Sequence, residues 1–403
     1  MGVVQKYGGS SVATIEQLRA VAECVAQVKR AGQDVVVVAS AMGKTTNRLI
    51  ELAKQTGGAD SVREMDALMA TGEQTTISLL AMALQGMGIP AVSLTGGQCG
   101  FVTNDNHTRA KIMDIRTDTL QKHIGEGKVV VVAGFQGTDA AGNITTLGRG
   151  GSDTTAVALA AKLGWDCEIY TDVEGIFSID PRRCPGAKAL RRITYDEMME
   201  MAALGAGVLE TRSVELAKKY RVRLYLGRSL ENDKTKGTYI MEKDNTFEYM
   251  PVTGISLSER CAVLNITNAP ADGSCVSSLF AIVSKLDINV DLISQQLLSD
   301  GSIALSFSCK PDDAQLLLRA CAERGFPYEL RLQSTLGKIS LVGVGMITHS
   351  GIANRAFDTL YRNGIRYYQI STSEISISIT VEAENLERAA RVLSEEFELC
   401  QGA

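Results

Sequence analysis

Two hydrophobic rhythms alternate along the first 240 or so residues. Continuous β-branched runs, Val35 to Ser40 and Lys128 to Gly134, lack polar alternation and predict strands buried on both faces of a parallel sheet. Shorter runs at Val3 to Lys6, Pro90 to Thr95 and Val222 to Gly227 predict further strands, and Asp166 to Phe177 reads as strand then turn. Between them lie stretches of helical period at 15–30, 61–87, 106–123, 156–163, 195–204 and 210–219, while 41–47 reads as a polar turn and 231–243 as polar chain. Strand and helix in alternation predict an α/β architecture, a mainly parallel sheet layered by helices.

From about residue 260 the texture changes to an internal repeat. A shift of 77 places Leu264 on Leu341, Phe280 on Phe357, Ile288 on Ile365 and Ile293-Ser294 on Ile370-Ser371. Each copy runs strand, helix, strand, alternating strand, helix, which predicts two ferredoxin-like βαββαβ units. The expected division is 1–245, 260–335 and 337–403.

Composition narrows the picture. With 41 basic and 46 acidic residues the net charge is −5, so no excess of positive charge points to nucleic acid or an anionic membrane as partner. No apolar run approaches the roughly 18 residues a membrane span needs, and the chain opens directly into a strand without a signal-peptide pattern. Nine cysteines without a C-x-x-C pair predict reduced thiols and a cytoplasmic setting, and three dispersed histidines predict no protein-built metal site.

The chemistry concentrates in glycine-rich turns. Thr146-Leu147-Gly148-Arg149-Gly150-Gly151-Ser152-Asp153 sits between a strand and a helix, where glycines admit a ligand and helix amides favour an anion. Arg149 adds a fork suited to carboxylate or phosphate. Lys6-Tyr7-Gly8-Gly9-Ser10-Ser11 repeats that logic, and Lys6 could neutralise charge moving between phosphates. Gly43-Lys44-Thr45 is not a P-loop, because Val38 stands where its first glycine is required. Gly343-Val344-Gly345 lacks the third glycine of a dinucleotide fingerprint and reads as the turn into the second repeat's helix.

Five segments in this order, Lys6 to Val12, Thr146 to Asp153, Tyr170 to Val173, Asp180-Pro181-Arg182 and Ser371 to Ile375, make the chain resemble the aspartokinase family over essentially its whole length. The resemblance implies a three-layer α/β/α sandwich, the amino acid kinase fold, followed by two ACT domains. It implies transfer of phosphate from MgATP to the β-carboxylate of L-aspartate, the metal being held mainly by the nucleotide phosphates. Lys6, Tyr7, Gly8 and Gly9 are then expected at the ATP phosphates, with Thr171, Asp172, Phe177, Arg182 and position Gly207 around the nucleotide. Ser40, Thr46, Glu73, Arg149 and Ser152 are expected around aspartate, Glu73 facing the amino group and Arg149 the α-carboxylate, while Asp153 orients Lys6 or the metal. Asn289, Val290, Asp291 and Gln295 in the first repeat, with Ile352, Ala353, Arg366, Tyr367, Ser373 and Glu374 in the second, are expected to bind an effector. By the resemblance that effector is L-lysine, alone or with L-threonine, in a homodimer or larger assembly joined through the ACT domains. Arg366 and Tyr367 fit the completion of a sheet edge equally well. Two positions depart from the family pattern: Phe177 replaces a usual Tyr, and Gly207 replaces a Lys expected to contact ATP. The alternative reading is a non-catalytic amino-acid sensor.

Overall fold

A computed structural model describes residues 2–58, 60–231, 233–242 and 250–400. The chain divides into two compact units, and residues 177–188 and 203–206, inside the expected 1–245, cluster with the second.

The first unit is built on an eight-stranded sheet. Its strands are β1 (Gly2–Tyr7), β2 (Asp34–Ala39), β3 (Ala91–Leu94), β6 (Val129–Ala133), β9 (Asp166–Thr171), β12 (Arg192–Thr194), β13 (Leu224–Arg228) and β14 (Thr238–Met241), in the order β12-β14-β13-β9-β1-β2-β6-β3. Every pair from β13 to β3 is parallel, and β14 against β13 is antiparallel. The valine runs form the interior strands β2 and β6 and are fully buried, as both-face burial demands. One face packs on α1 (Ile15–Arg30) and α3 (Val62–Gly86), with Val35, Val37 and Val131 meeting Leu18, Val21, Leu80 and Leu84 in one cluster. On the other, α5 (Gly151–Leu163) packs against β1, β2 and β9. A capping box at Thr14 and Gln17 starts α1.

Three readings of the sequence are corrected. The polar turn after β2 ends at Lys44, where α2 (Thr45–Gln55) begins. Residues 231–243 include β14. The helix expected over 106–123 is instead a turn, strand β5 (Ile112–Ile115) and a short α4 (Asp118–Gly125). There, β4 (Phe101–Thr103), β7 (Gln136–Thr138) and β8 (Ile144–Thr146) join β5 in a four-stranded sheet, β5-β4-β7-β8. Antiparallel pairing with the preceding β4, Thr103 opposite Ile112, overrides helical propensity.

Short strands β10 (Ile176–Phe177) and β11 (Ala189–Leu190) precede α6 (Tyr195–Met201), a π-turn over 202–206 and α7 (Thr211–Tyr220). The second unit carries a six-stranded sheet ordered β16-β17-β15-β18-β20-β19. Its elements are β15 (Gly254–Pro270), α8 (Ser274–Lys285), β16 (Ile293–Leu297), β17 (Ser302–Cys309), α9 (Pro311–Glu323), β18 (Arg331–Val342), α10 (Ile352–Arg362), β19 (Tyr367–Thr372), β20 (Ser376–Glu382) and α11 (Leu386–Glu396). The two repeats are interlocked. Ala262 to Pro270 pairs with β17 of the first copy, whereas Gly254 to Ser258, which precedes both expected repeats, pairs with Lys338 to Val342 of the second. The second copy thus takes its fourth strand from before the first, because β15 and β18 are long enough to serve both.

The end of the chain returns along residues 178–188. Leu399 O accepts from Ser178 Oγ at 2.6 Å and Lys188 N at 3.1 Å, and the Cys184 and Cys400 side chains meet beside it, with Cα atoms 7.2 Å apart, wider than a disulfide ordinarily spans. The fold brings these two cysteines together across 216 residues, which no local cysteine spacing announces. Among the described residues no helix is long and apolar enough to cross a membrane.

The small sheet depends on close backbone approach at Gly100, where φ is +92° and an added Cβ would lie 2.0 Å from Arg116 O. Gly142 shares the left-handed conformation, φ +83°, but has nothing within 4 Å. Gly142→Ala is therefore expected to cost about 1–2 kcal/mol, the left-handed penalty alone, and Gly100→Ala distinctly more. Equal falls in calorimetric melting temperature would contradict the steric account.

Candidate active site

The candidate site forms where parallel strands end together. Tyr7 lies in register with Ala39 of β2 and with Tyr170 of β9, so the loops after β1, β2 and β9 emerge at one carboxyl edge. Strand order also reverses about β1, with β2 on one side and β9 on the other, the place where open α/β sheets hold ligands. Gly8 N donates to Tyr170 O at 3.1 Å and Gly43 N to Gly9 O at 2.9 Å, and a Cβ at Gly9 would come within 2.8 Å of Ala41 O. The glycine pair thus lets three loops close on one another.

Into this edge projects a buried charge pair. Lys6 Nζ lies 2.6 Å from Asp153 Oδ1, with side chains only 9% and 11% exposed. Lys6 is the penultimate residue of β1 and Asp153 lies in the first turn of α5, so the ion pair joins a strand end to a helix start. Beside it, Ser40 Oγ donates to Ser152 Oγ at 2.9 Å, tying the β2 loop to the same turn. Glu73, in the middle of α3, accepts from Ala41 N at 3.1 Å through Oε1, while its buried Oε2 has no hydrogen-bond partner. Burial pushes the Glu73 carboxyl up to about 7 against the pull of the Ala41 amide. Thr46 is half-buried in the first turn of α2, and Arg149 is exposed between Gly148 and Gly150, both with positive φ.

Gly8, Gly9, Ser40 and Arg149 in loops, Thr46, Ser152 and Asp153 at helix starts, Lys6 near the end of β1 and Glu73 in the middle of α3 all belong to the first unit. The Tyr7 ring does not face the carboxyl edge. That ring is 1% exposed in the core, stacked on Tyr170 with centroids 5.1 Å apart, so only its backbone can meet a ligand. Thr171 donates to its neighbour Asp172, which is exposed. Gly207 follows the π-turn with φ +59°, a conformation that favours glycine over the Lys of the family pattern. Phe177 and Arg182 fall in the second unit, where Arg182 is paired with Asp180 at 2.7 Å.

Among the candidate effector residues, Asp291 is ion-paired with Lys338, which is 4% exposed on β18. Asn289 and Gln295 are exposed, Val290 packs against the first repeat's core, and Ile352 and Ala353 open α10. Tyr367 stacks on Phe357 at 5.5 Å and Arg366 lies over the Tyr368 ring at 5.7 Å, as sheet-edge residues do. Ser373 bonds Ser376 at 2.9 Å, and Glu374 is exposed. Sequence reading missed Lys338 and Asp66, both buried ionisable groups whose partners lie far along the chain. A charged residue at a core-facing position was the only available signal. Among the described residues no group of three or more His, Cys, Asp or Glu converges on a metal position.

Comparison with known proteins identifies the family. Residues 1–227 match the amino acid kinase family and residues 339–397 the ACT domain. The aspartokinase of Bacillus sp. (strain MGA3) is 45% identical over 405 residues, covering 100% of this chain and 98% of its own. In structure the chain is similar to E. coli aspartokinase III in complex with aspartate and ADP, with a TM-score of 0.82, 23% identity and coverage of 98% and 99%. The same enzyme in complex with lysine and aspartate gives 0.75 at 24% identity, again over 98% and 99%.

The raised Glu73 carboxyl makes a prediction about stability. Between its ordinary 4.5 and about 7 the folded chain keeps a proton that the unfolded chain has lost, so stability should fall as pH rises through that window and level off above it. Glu73→Gln removes this component. The melting temperature of the variant minus that of the wild type should climb from pH 4.5 to 7 and then plateau, and a flat difference would contradict the burial effect.

Proposed function

The chain belongs to the amino acid kinase family and, within it, to the aspartokinases; on that premise we propose that it moves the γ-phosphoryl group of ATP onto the β-carboxylate of L-aspartate at the carboxyl edge of the parallel sheet. The observation that carries this reading is the buried Lys6–Asp153 pair between a glycine loop and a helix N-terminus. Phosphoryl transfer asks a protein for positioning and charge stabilisation. Lys6 holds a cation where negative charge shifts toward the leaving oxygen, and Asp153 fixes its ammonium. The amides of the Gly8-Gly9 loop and the start of α5 supply further positive potential. No general base is needed, because the attacking carboxylate is already ionised at neutral pH.

Aspartate is held from two sides in this reading. Arg149 grips its α-carboxylate, and the unpartnered Glu73 oxygen takes the α-ammonium, whose charge restores the ionised form that burial disfavours. Thr46, Ser40 and Ser152 complete the polar wall. Magnesium carried on the nucleotide phosphates would neutralise their charge, with Asp153 able to orient it. Thr171 and Asp172 serve the nucleotide, bound without an ammonium at Gly207.

The two interlocked repeats support feedback regulation by L-lysine, alone or with L-threonine. E. coli aspartokinase III is known in complex with lysine, and the start of α10 offers amides to an effector carboxylate. Edge strand β16 is exposed throughout, Ile293 at 56% and Leu297 at 68%, which supports pairing with a second copy. An effector acts through unequal affinity for active and inactive states.

Two measurements test this. With hydroxylamine trapping the acyl phosphate, Lys6→Ala should lower kcat by about 10²- to 10³-fold with little change in aspartate KM. Arg149→Ala should raise that KM by roughly 10- to 150-fold, as loss of a bidentate charged contact costs about 1.5–3 kcal/mol. Wild-type turnover in the first, or an unchanged KM in the second, removes that residue from its role. For regulation, millimolar lysine with or without threonine should inhibit the wild type, and Glu374→Ala should relieve this at unchanged basal kcat. Glu374 is preferable to Asp291, whose removal would strand the buried Lys338 ammonium. Full activity in saturating lysine plus threonine would sink the regulatory reading.

A further inference from the structure

Asp66 is a fully buried carboxylate on α3, two helical turns before Glu73. Such a charge is tolerable only when donors saturate it. It accepts Thr146 Oγ1 at 2.5 Å and Thr146 N at 3.0 Å, Thr108 N at 3.0 and 3.1 Å, and His107 Nδ1 at 2.8 Å. Because a carboxylate only accepts, that ring nitrogen carries the proton. None of these donors is needed to finish a regular ladder or helix. Thr108 even takes φ +65°, an uncommon conformation for a β-branched residue, while its N–H is shared between both Asp66 oxygens.

The network ends at the loop that carries Arg149. Thr146 is the last residue of β8, three positions before Arg149, and its carbonyl accepts Ala110 N at 2.8 Å. From the other side Arg212 donates to Ala110 O at 3.1 Å and Leu147 O at 3.3 Å. The loop holding Thr108 also seats against the glycine turn, since a Cβ at Gly148 would lie 3.2 Å from Thr108 O. Asp66 thereby connects one rigid helix, which presents Glu73, to the backbone from which Arg149 projects.

We propose that Asp66 is a positioning residue for substrate: through Thr146 it sets Arg149 relative to Glu73, so that the carboxylate clamp and the ammonium acceptor are spaced for one short α-amino acid. The inference rests on the reading of Arg149 and Glu73 as the aspartate contacts. Loss of the network would then weaken aspartate binding while leaving the nucleotide loops, which Asp66 does not touch, unaltered.

The test uses the full-length enzyme with Asp66→Asn, and Thr146→Val as the milder variant should the first fold poorly. Asp66→Asn should raise aspartate KM tenfold or more and Thr146→Val severalfold, with ATP KM within twofold of wild type for both. Combined with Arg149→Ala, either should add less than twofold to the aspartate KM of the Arg149 variant, because the positioned group is gone. A merely structural role would lower the melting temperature and shift both substrates alike, or add fully to Arg149→Ala, and either result overturns the proposal. If Arg149→Ala itself leaves aspartate KM unchanged, the clamp reading falls together with this inference. If Arg149→Ala raises it while Asp66→Asn and Thr146→Val do not, only the inference falls.

Discussion

The Lys6–Asp153 pair is the constraint on which the rest of the first unit depends. Both side chains are about nine-tenths buried, and a lone buried ammonium or carboxylate would be prohibitively costly. The pair therefore requires that β1 end where α5 begins, which in turn requires Asp166 to Thr171 to run beside β1 and the valine strands to stack on its other side. Gly8 and Gly9 let the neighbouring loops close over the same point without covering it. A cation held this way is available to a ligand's developing charge with little reorganisation, which is what phosphoryl transfer asks of a protein.

Much of this arrangement is legible in the sequence, for physical reasons that differ by element. Val35 to Val38 and Val129 to Val132 announce interior parallel strands because nothing polar interrupts them. Glycines placed between strand and helix announce ligand loops, and Lys6, Arg149 and Asp153 stand where such loops need charge. The turn and strand at 106–115 are not legible as such, since their conformation is imposed by Asp66 and by pairing with the three-residue β4, and local period carries neither. The interlocking of the two repeats is equally hidden: a 77-residue shift reveals that the copies exist but not that Gly254 to Ser258 completes the second.

Buried ionisable groups are a further place where sequence reasoning stopped short. Glu73 is singled out in the sequence only through the family resemblance, whereas its raised carboxyl and unpartnered oxygen come from burial that the fold imposes. Asp66 has no motif around it and acts only through Thr146 and Thr108. Lys338 neutralises Asp291 from a strand of the other repeat, so a carboxylate expected to meet an effector already carries an internal partner. In all three the decisive partner lies more than 30 residues away, and only the fold brings it near.

The central claim is that Lys6 and Asp153 act as one unit in the chemical step. A double-mutant cycle on kcat, comparing Lys6→Met, Asp153→Asn and the double variant at saturating aspartate and ATP, measures that directly. The account predicts that the double variant is no slower than the worse single variant, within about threefold. Losses that multiply across the cycle would contradict it, since they would mean that the two groups contribute independently.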